Sequence, residues 1–313
     1  YIQVDVPEIE VPFKSMDITA HPKYHDTPDK FQKDWDNFKM WDLNMKNDEE
    51  VFRAYSMSNH PAEGDIVSLT IRIATPPLKW GVDSAGKRNL KKLMYFEEGI
   101  SDTVAVFKDD YGILDPNAKR LITNGISMSA SNLIATRYMK LFAHVPILLV
   151  DQPDDVLVVC FGTGQTTGAA GIHPRVKSVD SLELSTSVIN AGEMFADQNH
   201  QALQNPKINF VIQDGRNHLL TTHKRYDVIT SEPPPPRTAF TVNLYTQEYY
   251  ELQKNRLKPG GIVAQWIPLH SQGEKEVDMH FRTFRSVFPY TMGWMSVANE
   301  ILIIGSNQPI VID

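Results

Sequence analysis

The stretch "DVLVVCFGTG", Asp155 to Gly164, sets the architecture of the chain. Its apolar run from Val156 to Phe161 has no polar face, so it reads as a strand buried on both sides, the mark of a parallel sheet between helices. It enters Gly162-Thr163-Gly164 directly, a turn in which glycine lets the backbone bend tightly and come close to a ligand. "GQTTGAAGI" then opens a helix whose free N–H groups face the same turn.

Toward the C-terminus, strands and helices alternate. "KSVDSLEL" reads as a second strand, followed by the helix "STSVINAGEMFADQ" capped by Ser185 or Thr186. "INFVIQDG" is a third strand, "NHLLTTH" a short helix and "RYDVITSEP" a fourth strand. "TQEYYELQKNRLKPGG" reads as a helix closed by Pro259-Gly260-Gly261. "IVAQWIPL" is a fifth strand, "GEKEVDMHFRTFRSVFP" a helix and "EILIIGS" a last strand. The alternation predicts an α/β fold: a doubly wound, mostly parallel, Rossmann-like sheet over residues 151–313.

Toward the N-terminus, "KLMYFEEG", "DTVAVFKDD" and "KRLITNG" read as strands with a tight turn at Asn124-Gly125, and "SNLIATRYMKLFAHVP" as a helix capped by Ser131 or Asn132. Residues 93–150 are therefore expected to form a small β domain and a linking helix. Residues 1–92 form an extension to which the sequence assigns no chemistry. It begins with extended pieces ("VDVPEIEVPF"), continues in a stretch from Thr27-Pro28 ("PDKFQKDWDNFKMWDLNMKNDEEVFRAYS") that reads as helical, and includes the strand-like "DIVSLTIRIATPP".

The chain has 313 residues, 42% hydrophobic and 22% charged, with a net charge of −7. That balance argues against a nucleic-acid partner, since nucleic-acid-binding domains are basic. No apolar run reaches the ~18–20 residues that span a bilayer. Cys160 is the only cysteine, which rules out a disulfide within the chain and a cysteine zinc site, and no metal is expected. A reducing compartment, the cytoplasm, is the expectation. The chain begins at Tyr1 rather than Met, so a preceding segment is expected. Residues 1–92, or what precedes them, are the candidate link to a membrane or larger assembly.

Three features fall at strand ends of the predicted sheet. The first is Gly162-Thr163-Gly164 with Gln165, which is not the full GxGxxG fingerprint, because Thr167 stands at its third glycine. The second is Glu183, roughly twenty residues beyond the glycine turn, where a carboxylate accepts hydrogen bonds from ribose hydroxyls. The third is Asp214-Gly215, where an acid accepts from an adenine amino group. Together they describe a nucleoside pocket without a phosphate-binding fingerprint, which fits an S-adenosyl ligand better than NAD. A fourth strand end, "DVITSEPPPPRTAF", stops in Glu232 and four prolines, giving a stiff loop with one acid at the same sheet edge. His21 and His25 lie beside Pro22 and lack a metal motif, no G-x-S-x-G occurs, and Trp266 and Trp294 read as core or pocket wall.

The stretches "VLVVCFGTG", "SLELSTSVI", "INFVIQDGR", "YDVITSEPPPPR" and "NLYTQEYYELQKNRLKPGGIVAQWIPL" resemble the spermidine synthase family, within the class I methyltransferase fold. The likeness is greatest to bacterial spermidine synthase-like proteins often fused to membrane domains. It covers about residues 93–306, with "YFEEGISDTVAVF" and "RYMKLFAHVP" matching the family's small β domain and linking helix. It implies aminopropyl transfer from decarboxylated S-adenosylmethionine to an amine, with Glu183 on the ribose, Asp214 on the adenine, Tyr138 bordering the reacting amine, and Glu232 as a longer form of the first acid after strand four, a catalytic candidate that faces the S-adenosyl pocket without being the family's usual base. It also implies pairing of two copies through the small domain. The sequence departs from the family at Thr163 and Pro235, both positions of family aspartates, and at Met139 and Lys140, where the family has histidine and glutamate. Two other readings therefore stand beside it: an S-adenosylmethionine-dependent methyltransferase, and a non-catalytic binding or structural module.

Overall fold

The computed structural model describes residues 92–99, 102–109, 115–236, 238, 241–269, 272–297 and 300–312, together with 2–6, 9–12, 44–47, 51–55 and positions 14 and 42. The chain divides into two compact units, Tyr1–Ile73 and Ala74–Asp313.

In the first unit β1 (Ile2–Val6) pairs antiparallel with β4 (Val51–Tyr55), and β2 (Ile9–Pro12) pairs antiparallel with β3 (Asn44–Asn47). The extended reading of "VDVPEIEVPF" therefore holds. The helical reading of the following stretch fails where it is described, at β3 and β4. Val51, Phe52 and Tyr55 favour strands, and the ladder from Ile2↔Tyr55 to Val6↔Val51 satisfies their backbone from a distant segment that local pattern reading does not see. "DIVSLTIRIATPP", His21 and His25 lie outside the described residues.

The second unit opens with an antiparallel meander: β5 (Leu93–Glu98), β6 (Thr103–Lys108), β7 (Lys119–Thr123) and β8 (Ile126–Ala130). Asn124 and Gly125 both have positive φ, as a two-residue turn matching strand twist requires. Helix α1 (Leu133–Leu148) follows, with the Asn132 side chain accepting from the Ala135 N–H as its cap.

A seven-stranded sheet completes the unit. Its elements are β9 (Asp155–Val159), α2 (Gln165–Ile172), β10 (Ser178–Glu183), α3 (Thr186–Ala191), β11 (Ile208–Ile212), α4 (Gly215–Thr221), β12 (Tyr226–Ser231), α5 (Gln247–Asn255), β13 (Leu257–Pro268), α6 (Glu274–Val287), β14 (Tyr290–Val297) and β15 (Glu300–Ser306). The strand order is β11-β10-β9-β12-β13-β15-β14, with the first five parallel and the last two added antiparallel. Strand order reverses between β9 and β12, so a ligand crevice is expected outside their carboxyl ends.

Alternation along the strands divides the core between two faces. Val156, Val158, Val228, Ala264 and Leu302 pack with Phe142 and Ala143 of α1 and Ala169 and Ala170 of α2. Leu157, Val159, Ile229, Val263 and Ile303 pack with Tyr249 and Tyr250 of α5 and Phe284 of α6. Strands buried on both faces explain why "DVLVV" carries no alternation.

Some boundaries differ from the sequence reading. α5 ends at Asn255, ahead of Pro259, because Leu257 already pairs with Tyr226 in the sheet. The helix read over "STSVINAGEMFADQ" is α3, capped by Ser185, and continues as a 3-10 turn over Gly192–Phe195. β14 was not foreseen. Its Trp294 is 40% exposed, so it is not core, whereas Trp266 is buried. Among the described residues no helix is long and apolar enough to cross a membrane.

Candidate functional site

β9 ends at Val159, and Cys160 takes a positive φ of 74°, an uncommon conformation for a residue with a side chain. Gly162 (φ 55°) and Gly164 (φ 79°) continue the left-handed bend and carry the chain into α2. The close approach of helix to loop falls on Gly168 rather than on Thr167: a Cβ at Gly168 would collide with the Asn199 carbonyl oxygen. Thr167 instead exchanges a hydrogen bond with Ser181 of β10 at 2.9 Å.

Thr163 is fully buried, and its hydroxyl accepts from Gln165 Nε2 at 2.9 Å and lies 3.4 Å from Ser129 Oγ. Gln165 Nε2 also donates to the Ala130 carbonyl at 3.0 Å, which ties the loop to β8. The glycine loop and the small sheet thus share one hydrogen-bonded seam.

Glu183 ends β10 beside this loop. Its Oε2 accepts from the Phe161 and Gly162 N–H groups (3.1 and 3.4 Å), and its Oε1 accepts from Leu184 and Ser185 (2.8 and 3.2 Å). Burial pushes its carboxyl above the usual carboxylate range, and the four backbone donors pull it back. Glu183↔Ile212 is a parallel pair, so Asp214 emerges two residues further on from the neighbouring strand. Asp214 is exposed and caps α4, its Oδ1 accepting from the Asn217 N–H at 2.8 Å. Gly215 is buried, and a Cβ there would meet Val159 Cγ1 at 2.6 Å. The glycine loop, Glu183 and Asp214 are thus side by side at the carboxyl edge of β9, β10 and β11.

The next strand end in the crevice is Glu232. Its N–H donates to the Val159 carbonyl at 3.1 Å, extending the β12–β9 ladder by one bond and fixing the residue at the reversal of strand order. The proline loop beyond has no N–H groups at Pro233 and Pro234, but the Tyr245 hydroxyl holds both carbonyls at 3.1 and 3.3 Å. The Glu232 carboxyl contacts the Thr166 hydroxyl, which also donates to the Met139 carbonyl at 2.9 Å. The Thr166 hydroxyl therefore shares its one hydrogen between the Met139 carbonyl and the Glu232 carboxyl. Burial, opposed by the Thr166 hydroxyl and aided by the charge of Glu300, pushes Glu232 up to about 8.

Tyr138 of α1 belongs to the same group. Burial raises its phenol, and Glu232 and Glu300 raise it further. The sequence reading missed Glu300. It heads β15, and its Oε2 accepts from Trp266 Nε1 at 2.6 Å; burial pushes it up to about 7 despite that bond. The structure therefore gathers Tyr138, Glu232 and Glu300 on one side of the glycine loop, and Glu183 and Asp214 on the other. Two acids held near neutral pH beside a phenol are suited to taking up a proton or to holding a cation.

Comparison with known proteins gives two sets of relatives. The spermine/spermidine synthase domain matches residues 135–302. The polyamine aminopropyltransferase of Methanocaldococcus jannaschii is 32% identical over 128 residues, covering 41% of this chain and 43% of that protein. A solved spermidine synthase in complex with the transition state analogue AdoDATO superposes with a TM-score of 0.61 at 21% identity, covering 69% of this chain and 74% of that one. It shares the fold described above. A different protein, one component of the Na(+)-translocating NADH-quinone reductase of Alteromonas macleodii, is 43% identical over 77 residues, 25% of this chain and 22% of that protein. The chain thus spans less than half the length of either of these two curated relatives.

Proposed function

Because the chain belongs to the spermine/spermidine synthase domain family, we propose that it transfers an aminopropyl group from decarboxylated S-adenosylmethionine to an amine acceptor. The observation that carries this reading is Glu232, a buried carboxyl held at about 8 beside Tyr138, at the sheet edge where the glycine loop turns. The solved relative bound to AdoDATO supports a donor of this kind.

The chemistry asks little beyond positioning and a base. A neutral amine nitrogen attacks the methylene carbon beside the sulfonium, a C–N bond forms, and the C–S bond breaks. The sulfur keeps the bonding pair and leaves as a neutral thioether. The new ammonium then gives up a proton. Free amines have a pKa near 10, so the acceptor must be held and deprotonated at neutral pH. A base poised near 8 suits that task better than an ordinary carboxylate near 4.5. In this reading Asp214 holds the adenine and Glu183 the ribose, sharing its oxygens with the loop N–H groups. The loop Gly162, Thr163, Gly164 and Gln165, with Gly215, shapes the nucleoside side.

Met94 and Phe96 are exposed on β5, which supports pairing of two copies through the small sheet. The lone thiol, Cys160, is consistent with a reducing compartment such as the cytoplasm.

Calorimetry with decarboxylated S-adenosylmethionine, intact S-adenosylmethionine and methylthioadenosine tests the reading. The expected order places the decarboxylated form and methylthioadenosine ahead of the intact one. Asp214→Ala should weaken methylthioadenosine about tenfold or more. Glu232→Gln should keep nucleoside affinity while the transfer rate falls about a hundredfold or more. Preference for the intact cofactor would replace this function with methyl transfer, and no binding would leave a non-catalytic module.

A further inference from the structure

We propose that the amino edge of the large sheet carries a second binding site, for an oligophosphate chain, at the opposite end of the strands from the nucleoside crevice. The site is a cavity of about 550 Å³ where β12 and β13 begin. That volume suits a small molecule, since ligand pockets run from roughly 300 to 1,000 Å³. One wall is a bulge. The pairs Tyr226↔Leu257 and Val228↔Ile262 leave Asp227 alone on β12 opposite Lys258, Pro259, Gly260 and Gly261 on β13. Gly260 has a positive φ of 77°, and a Cβ on Gly261 would meet the Lys258, Asp227 and Tyr226 carbonyl oxygens at 3.0, 3.1 and 3.2 Å. The bulge is thus a tight turn that depends on its glycines.

Charge identifies the ligand class. Arg225, Lys254, Arg256 and Lys258 line the cavity with the amides of Asn307 and Gln308, and among the described residues no carboxylate lines it. Lys258 is neutralised by Asp155 and Asp227 at 2.6 and 2.8 Å. The other three cations make no salt bridge among the described residues. Backbone carbonyls hold them instead. Arg225 Nη1 donates to Leu257 at 3.0 Å, Lys254 Nζ to Val287 at 2.9 Å, and Arg256 Nε and Nη2 to Leu219 and Leu220 at 3.0 and 3.4 Å. Val287 ends α6, and Leu219 and Leu220 lie in the last turn of α4, so these bonds close helix C-termini. Capping accounts for the anchoring but not for the spare donors. An arginine carries five N–H groups and a lysine three, and most of them stay unengaged here. In a chain of net charge −7, three fixed charges without acids leave a locally positive field that draws an anion. Guanidinium forks beside an ammonium match phosphate oxygens. A single phosphate would fill little of the volume and offset only part of the charge, so the geometry specifies linked phosphates. Leu252 and Pro259 add an apolar wall on which an attached organic group can rest.

The test is calorimetry with inorganic tripolyphosphate on the full chain, on the double variant Arg225→Gln, Lys254→Gln, and on Gln308→Glu. The full chain should bind tripolyphosphate saturably, and affinity should fall about tenfold or more in the double variant, which loses two charged donors. The Gln308 side chain is exposed beside Gly260. Q308E puts a like charge on that wall without touching a cation or a cap, and should also weaken binding about tenfold. It keeps the test decisive should the double variant fold poorly. ATP, titrated with the nucleoside crevice saturated by methylthioadenosine, separates the two sources of such a chain. ATP binding tighter than tripolyphosphate supports the site with a nucleotide as its occupant, and weaker binding supports it with the free chain. No saturable tripolyphosphate binding by the full chain, or equal affinity in the full chain and in either folded variant, overturns the proposal. Tripolyphosphate bound without methylthioadenosine affinity would overturn the S-adenosyl reading and leave this site standing, since the length of β12 separates the cavity from Glu232.

Discussion

Glu232 makes a prediction that needs no substrate. Its folded-state carboxyl sits at about 8, against 4.5 for the unperturbed group. Below about 4.5 it is protonated in both folded and unfolded chains. Between that value and about 8 the folded chain keeps a proton that the unfolded chain has lost, so the stability it contributes is present at low pH and drains away as pH rises through this window. Glu300, at about 7, acts in the same direction. His144, His173, His218 and His280, all lowered by burial, act in the opposite sense, so the comparison is with a variant and not with a flat line. Melting temperatures measured from pH 5 to 8 should show the gap between Glu232→Gln and the parent moving in favour of the variant as pH rises. A constant gap would mean that Glu232 ionises as an exposed acid does. Among single residues the sequence exposed those that end parallel strands, because a strand followed by glycine or by an acid marks the ligand edge. Glu300 escaped because it begins an antiparallel strand: read locally it is the polar head of "EILIIGS", and only the β13 pairing brings it to the carboxyl edge. Pro235, where the family resemblance expected a second acid, left no sign of where another might come from.

Among the elements, the glycine loop and α2 carry the most constraint. Gly168 meets the Asn199 carbonyl so closely that any side chain must push backbone against backbone. Asn199 is itself fixed, its Nδ2 donating to the Thr163 and Gly192 carbonyls at 3.1 and 2.9 Å. Gly168→Ala should therefore cost about 3 kcal/mol or more in denaturant unfolding, at or above the usual range for overpacking. Gly293→Ala, whose Cβ would meet only Phe281 at 3.9 Å, should stay within about 0.5 kcal/mol of the parent. Similar losses at the two positions would show that the loop yields where the structure has it tight. The fingerprint reading found the loop but looked for its third glycine one residue early. The short apolar and capped runs from β9 to β12 were legible because burial on both faces leaves an unbroken apolar signal. β8 and β14 were not: "ISMSA" and "YTMGWMSV" are half-exposed strands whose ladders are supplied by partners that no local pattern names.

Across the full chain, every residue given a role lies in one unit. Tyr138, the glycine loop, Glu183, Asp214, Glu232 and Glu300 all fall within Ala74–Asp313, as does the family match over residues 135–302. The apolar clusters on both faces of the large sheet and under the small one draw all their described residues from this unit as well. A unit with its own core is expected to fold alone. Residues 74–313 produced without the first 73 should therefore unfold in one cooperative transition and bind methylthioadenosine with the affinity of the full chain, within about threefold. The two quantities separate the ways this can fail. Cooperative unfolding with lost affinity would mean that the first unit contributes to the nucleoside site. Loss of the cooperative transition itself would mean that the core of the large sheet is completed by residues from the first unit, and the division at Ile73 would not be a boundary of independent folding.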